Sequence, residues 1–494
     1  MIFDDTSKNL HQRYIIVGAG ISGLYAAKSL KTKYPDSHIT ILEQRDTCGG
    51  RILSEKCGNF ILEHGPMRFE PELQPKFKKL IHELQIETIE FSPYTSTYLL
   101  PPLDKFESHE VDAIIKSKLS PAFALVKYAL NEILKDLWDL DVKYIEDRET
   151  KKTFLKENAK FNGHYLHNQG IWDVFSCVLS KEAIDFIQSK GSFYHMLSMN
   201  PNSADMICFM IDILDTVNDK LITIKNGSYE IISSLEKQVK AIGVDILFNC
   251  EVIEFVERNG SCSDESKTII TLKTKCNQLF IANRAIFTLQ QRAYEKIQGF
   301  SNDIKTIMRN SVMLLELFKL FVIFTNPPFN EWTVPIANHN ANKIPCRELH
   351  YSYDKLNKLG MIQIYGDIPS INFWNTCLRG LQSLSSSDNL SLNDNHHSHE
   401  TTNQKELLMY HIDKCLNKLF PSNNCEIKHF SIVNWSNEPW CTGVHFWKPG
   451  YQSTKIMKKL HKIGNVHICG ETFSTYQGFI EGALISVDQV IQSI

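Results

Sequence analysis

The segment from Arg13 to Glu43 constrains this 494-residue chain more than any other. An apolar run, Tyr14 to Val17, breaks at Gly18-Ala19-Gly20-Ile21-Ser22-Gly23 and continues as an amphipathic pattern. A second β-branched run, Ile39 to Leu42, ends in Glu43, 20 residues after Gly23. Strand, glycine turn, helix and strand with a terminal acid is the pattern of a parallel βαβ unit that grips a dinucleotide. Gly18 permits the tight turn, Gly20 lets backbone approach a pyrophosphate, and Gly23 lets helix and strand pack closely. The helix N-terminus, with Ile21 and Ser22, faces the phosphate charge. Glu43, followed by Gln44, is placed to accept hydrogen bonds from ribose hydroxyls. NAD and FAD are not separated by this segment alone.

Composition narrows the class. A hydrophobic share of 43%, a charged share of 22% and a net charge of −3 describe an ordinary globular chain with room for two or three domains. Nothing in that balance calls for nucleic acid or a membrane surface. The 13 cysteines form no CxxC pair, so reduced thiols are expected rather than a disulfide framework. The polar start MIFDDTSKNLHQR has no apolar signal core. The most apolar run, Ser311 to Phe324, contains Glu316 and Lys319 and suits a core strand or helix. The expectation is a soluble cytoplasmic or otherwise intracellular protein, compatible with a homodimer.

Two further motifs identify the cofactor. Gly49-Gly50-Arg51 follows the ribose-binding acid, and the tail reads HICGETFSTYQGFIEGALISVDQVI. Together they resemble the flavin-containing amine oxidoreductases, the family of monoamine, polyamine and L-amino-acid oxidases. The resemblance covers most of the chain, with gaps in the middle, and implies non-covalent FAD. It brings Arg51 to the cofactor phosphates, Glu471 of Gly470-Glu471 to the ribityl chain, and the backbone of Val252 to adenine. It also sets the stretch Gly478-Phe479-Ile480-Glu481-Gly482 against the flavin at the start of a last helix. Taken singly, Arg51 would be a surface arginine and Glu471 a helix-capping acid. Monoamine oxidases attach FAD to a cysteine where this chain has Val444, and carry a further C-terminal anchor helix beyond the position of Ile494.

The implied fold class is α/β (α+β), with a discontinuous Rossmann-like FAD-binding domain at 12–58, 216–298 and 425–494. A mixed-sheet substrate domain would take 59–105 and 299–424, and an inserted helical domain 106–215, broken or kinked near Pro121. Residues 383–404 read as a low-complexity polar loop. His396, His397 and His399 within it could suggest a metal, but a solvated loop is the simpler account, and no metal is expected.

Substrate residues follow from the same resemblance. Gly65-Pro66-Met67-Arg68 is similar to the GPMR of L-amino-acid oxidases and the GAMR of tryptophan 2-monooxygenases, whose arginine holds the substrate carboxylate. A planar guanidinium matches a carboxylate with two charge-assisted hydrogen bonds. The other reading of Arg68 is a pair with a protein acid such as Glu63 or Glu70. The run ending Tyr365-Gly366-Asp367 looks like the strand that sets a tyrosine beside that carboxylate, though core packing would also account for a strand tyrosine. His445, two after Gly443, would form one aromatic-cage wall and Phe479 the other; L-amino-acid oxidases carry tryptophan at the latter. Lys296 falls near the family lysine that reaches flavin N5 through water, with Gln290-Gln291 replacing the usual proline pair. A solvated surface lysine is the alternative.

The resemblance therefore implies hydride transfer from the Cα–H of an L-amino acid to flavin N5. The resulting imine would hydrolyse to a 2-oxo acid and ammonia, and O2 would yield hydrogen peroxide. Monoamine or polyamine oxidation, tryptophan 2-monooxygenase chemistry, and a desaturase or non-catalytic FAD-binding protein are the alternatives.

Overall fold

The computed structural model describes residues 13–91, 103–137, 148–190, 199–216, 220–258, 269–327, 345, 348–366, 370–378, 383–385, 398–421, 424–437 and 440–494. The polar N-terminal segment, Asp367, His396 and His397 lie outside them.

The first βαβ unit founds a five-stranded sheet in the order Val466–Ile468, Arg284–Phe287, Arg13–Val17, His38–Leu42, Asp245–Leu247. Every pairing in it is parallel. Parallel strands need cover on both faces, which is why they read as unbroken apolar runs. Tyr14 and Ile16 face a helical layer made of Ile21–Lys33, Tyr229–Ala241 and Ile480–Ser493, with Leu24, Leu235 and Leu484 in its core. Ile15 and Val17 face the other way, onto Phe255, Leu272 and Phe287. That layer includes a small antiparallel sheet of Val252–Arg258, Ile269–Thr274 and Leu279–Ala282.

The second sheet orders Glu348–Asp354, Leu359–Gly366, Phe318–Thr325, Ile427–Asn434 and Ser383–Ser385. It is antiparallel throughout rather than mixed. A short turn joins its first two strands, with Lys358 at φ 54°, and such hairpins generate antiparallel neighbours. Leu320, Val322, Leu349, Ile364 and Ile432 pack on the helices Ser370–Leu378 and Ser398–Leu419. The second of these helices begins inside the stretch expected to be a loop to residue 404, and Ser383–Ser385 is a paired strand. The loop reading is corrected at both ends.

A helical group that includes Ser108–Lys116, Pro121–Leu134, Lys181–Lys190 and Ser203–Thr216 forms a separate core with Met313, Leu315, Trp435 and Phe446. Pro121 does not kink a helix; it opens one at the first turn, where its missing N–H costs nothing. From this group Phe209 and Ile213 reach the central cavity.

Candidate active site

A cavity of about 580 Å³ runs between the carboxyl ends of the parallel strands and the polar face of the antiparallel sheet. One end is built from the N-terminal motif. Gly18, Gly20, Ile21 and Ser22 line it, as do Glu43, Gln44, Gly50, Arg51 and Val252. Gly23 does not; a Cβ there would sit 1.9 Å from the Gly18 carbonyl oxygen, so its bareness lets the helix close on the strand. At Gly20 a Cβ would meet only Gly49 O, at 4.0 Å, so the space left open is on the cavity side. The helix that starts here has no side-chain cap. Its first-turn N–H groups and positive dipole end are thus left for an anion. Glu43 is braced by the N–H groups of Ala19 (2.7 Å) and Arg45 (3.0 Å) while its side chain borders the cavity. An uncapped helix end, a bare glycine turn and a fixed carboxylate fit the pyrophosphate and ribose of a dinucleotide.

Midway, Arg51 and Glu471 meet each other. Arg51 Nη2 lies 2.9 Å from Glu471 Oε2 and Nη1 donates to Gly443 O at 2.8 Å. Glu471 Oε2 also accepts from His445 Nδ1 at 2.8 Å, and Oε1 accepts from the N–H groups of His445 and Gly478. Burial works against ionising Glu471, but Arg51 and the His445 bonds outweigh it and hold the carboxyl well below its ordinary range. Burial pushes His445 down, so the imidazole is neutral. Its Nδ1–H donates to Glu471 and its Nε2 accepts the Gln291 N–H.

His445 is therefore not the cage wall expected of it. The strand Val444–Trp447 alternates, putting Val444 and Phe446 on the cavity and His445 behind them, fully buried. Phe479 does line the cavity, and its aromatic neighbours are Phe209 (5.4 Å) and Tyr476 (5.1 Å). Gly478 and Ile480 flank it on the wall, while Gly470 sits behind, at φ 120°. Lys296 ends the short helix Gln291–Lys296, exposed but on the cavity wall with Gln290.

At the far end stand Gly65, Pro66, Met67, Arg68 and Tyr365. Arg68 takes up neither Glu63 nor Glu70. It forms a two-pronged pair with Glu348, Nη1 to Oε2 at 2.8 Å and Nη2 to Oε1 at 3.0 Å. Burial alone would lower the arginine pKa, yet Glu348 raises it. Glu63 instead accepts from Ser54 and Ser228.

Sequence reasoning missed Glu348, His350 and Lys319. In the sheet register Glu348, Tyr365 and Lys319 are direct neighbours across three strands, one polar row on the cavity face. Lys319 donates to the carbonyls of Glu63 and Gly65, and its ammonium lies 5.2 Å from the Tyr365 ring centre. Burial pushes it down to about 7, against the pull of Glu63. The signal was there: a single lysine in the apolar strand FKLFVIFT, and alternating polar residues in ELHYSYD.

No group of metal-binding residues and no helix long and apolar enough to cross a membrane occurs among the described residues.

An L-amino-acid oxidase of Sistrurus catenatus edwardsii is 22% identical over 75% of this chain and 69% of its own length. Protoporphyrinogen oxidase 1, chloroplastic, of Arabidopsis thaliana is 42% identical over 59 residues, covering 12% of this chain and 11% of its own. A 1-hydroxycarotenoid 3,4-desaturase of Flavobacterium sp. (strain P99-3) is 25% identical over 32% of this chain and 31% of its own. The family described as flavin containing amine oxidoreductase matches residues 21–487, and with the dinucleotide cradle and the Arg51–Glu471 pair at its centre, this chain belongs to that family and takes FAD as its cofactor.

Proposed function

We propose that the protein is an FAD-dependent oxidase of L-amino acids. The observation that carries this reading is that Arg68 and Tyr365, 297 positions apart, border the same cavity as the dinucleotide cradle. Similarity to L-amino-acid oxidases over three quarters of the chain supports it. Arg68 and the Tyr365 hydroxyl hold the substrate carboxylate, which orients Cα–H toward the cofactor; such positioning supplies much of the rate. Bound FAD supplies a two-electron oxidant, which O2 then regenerates with release of hydrogen peroxide. Phe479 and Phe209 wall the amine side and exclude water, with Tyr476 packed against both rings. The neutral amine form of the substrate loses hydride, and the imine released is hydrolysed to a 2-oxo acid and ammonia. Lys296, on the wall near Gln290, is assigned the water-bridged contact with the cofactor.

A second reading has its own observation. The pairing of Arg68 with Glu348 supports amine or polyamine oxidation, in which the arginine is structural and no carboxylate is bound. Anaerobic bleaching of the purified flavoprotein by L-amino acids, monoamines and polyamines separates the two. Bleaching by amino acids is expected, with analysis for 2-oxo acid against amide to separate oxidase from monooxygenase chemistry. Bleaching by amines alone refutes the assignment. Arg68→Ala should leave FAD content unchanged and weaken amino-acid turnover by about 2–4 kcal/mol. Unchanged kinetics in Tyr365→Phe would remove the tyrosine from the scheme.

A further inference from the structure

Arg68 and Glu348 are unequal partners. The arginine side chain retains 28% of its exposure and borders the cavity, whereas Glu348 retains 7% and stands behind it. Glu348 is fixed from two directions. Its strand places it directly opposite Tyr365, and its Oε2 accepts from His350 Nε2 at 3.0 Å. Burial keeps His350 below its ordinary pKa, so the ring donates as a neutral imidazole.

The pair engages Nη1 and Nη2, the end of the guanidinium. A guanidinium has five N–H donors in a rigid fork, and its Nε–Nη2 edge is a second two-pronged face. Arg68 Nε makes no hydrogen bond to any described residue. Lys319, the cation of the row, turns its ammonium onto the Glu63 and Gly65 carbonyls. Of the two, Arg68 is the one that keeps an unused donor edge.

We propose that Glu348 is a positioning residue that clamps the end of Arg68 and so presents the Nε–Nη2 edge to the substrate carboxylate. This inference rests on the L-amino-acid oxidase reading and deepens it. Arg68 serves two carboxylates at once, a permanent one behind and a transient one in the cavity. Orientation, rather than bare positive charge, is what the site offers the substrate. The distinction has a sign. If charge alone mattered, removing the Glu348 carboxylate would strengthen carboxylate binding; if orientation matters, it weakens it.

The test is anaerobic flavin reduction by FAD-loaded wild type, Glu348→Gln and Glu348→Asp. The probe is whichever of the twenty L-amino acids bleaches wild type fastest, with the amine lacking its carboxylate as competitor. Glu348→Gln should raise the half-saturating amino-acid concentration about 10- to 100-fold, with a smaller effect on the limiting rate and none on inhibition by the amine. Glu348→Asp should recover part of the loss. Should Glu348→Gln fail to retain FAD, Glu348→Asp carries the test alone, with an intermediate rise in half-saturation expected. Half-saturation that is unchanged or lower in the variants overturns the inference while leaving the oxidase reading intact. Wild type that bleaches with no amino acid overturns the oxidase reading, and the inference with it.

Discussion

Replacing Glu471 by glutamine tests the centre of the site, because the substitution keeps the shape and removes only the charge. The carboxylate, 8% exposed, accepts three hydrogen bonds, from His445 N and Gly478 N on Oε1 and from His445 Nδ1 on Oε2, and its Oε2 also forms an ion pair with Arg51 Nη2. An amide has one acceptor oxygen. If it faces the backbone pair, its NH2 meets Arg51 and the His445 Nδ1–H; if it is flipped, it meets two backbone N–H groups. Moving the His445 proton to Nε2 relieves one clash and loses the bond from Gln291 N. Two donors are thus stranded in either orientation, at about 1–3 kcal/mol each. Arg51 keeps its bond to Gly443 O, which limits the cost of the lost ion pair. The sum, about 2–6 kcal/mol, brackets the range of about 3–5 kcal/mol for breaking a buried pair from one side. Urea unfolding of FAD-free and FAD-loaded protein, wild type against Glu471→Gln, measures it. A loss of that size in the FAD-free protein is the expected result. A change below about 1 kcal/mol without FAD would mean that the network does not form until the cofactor binds.

Glu43→Ala should lower FAD occupancy by weakening binding about tenfold or more, because the carboxylate that borders the cavity is lost along with its bonds to Ala19 and Arg45. Flavin absorbance after dialysis reads this, and full retention would remove Glu43 from the cofactor contacts. Acid should destabilise the protein through His461 and His467, both pushed down to about 4 by burial. The unfolded chain takes up these protons near pH 6.5 and the folded one does not, so this stability is complete above about pH 6.5 and lost as pH falls toward 4. The loss is at most about 3 kcal/mol per ring. Urea midpoints between pH 7.5 and 5 should show it, with a shallower slope in His467→Gln; parallel slopes would refute the assignment.

The elements that position FAD were legible because their signals are local. The glycine turn, the acid after the second strand and the tail motif each lie within a few dozen residues, and each element reads from its own pattern. The antiparallel face that carries Glu348, Tyr365 and Lys319 was half legible. Alternation in each strand says which residues share a face, but not which strands are neighbours. That register makes Glu348 the neighbour of Tyr365 and of no nearer residue. Alternation would also have moved His445 off the cavity wall, had the strand limits Val444–Trp447 been known.

The two arginine–glutamate pairs of the site have a common form. Arg51 and Arg68 belong to the N-terminal motifs, and their acids, Glu471 and Glu348, lie 420 and 280 positions later. Read along the chain, each arginine is assigned to a ligand or, for Arg68, to a nearby acid such as Glu63 or Glu70, since the acids that pair with them in the fold lie hundreds of positions away. Burying an unpaired guanidinium costs several kcal/mol, so a site that must hold one before substrate arrives needs an internal acid. On the L-amino-acid oxidase reading, the protein anion and the substrate anion are then not rivals for the assignment. For Arg68 the acid in the sheet is what permits an arginine in the cavity wall, and the question that decides its chemistry is which donor edge that acid leaves over.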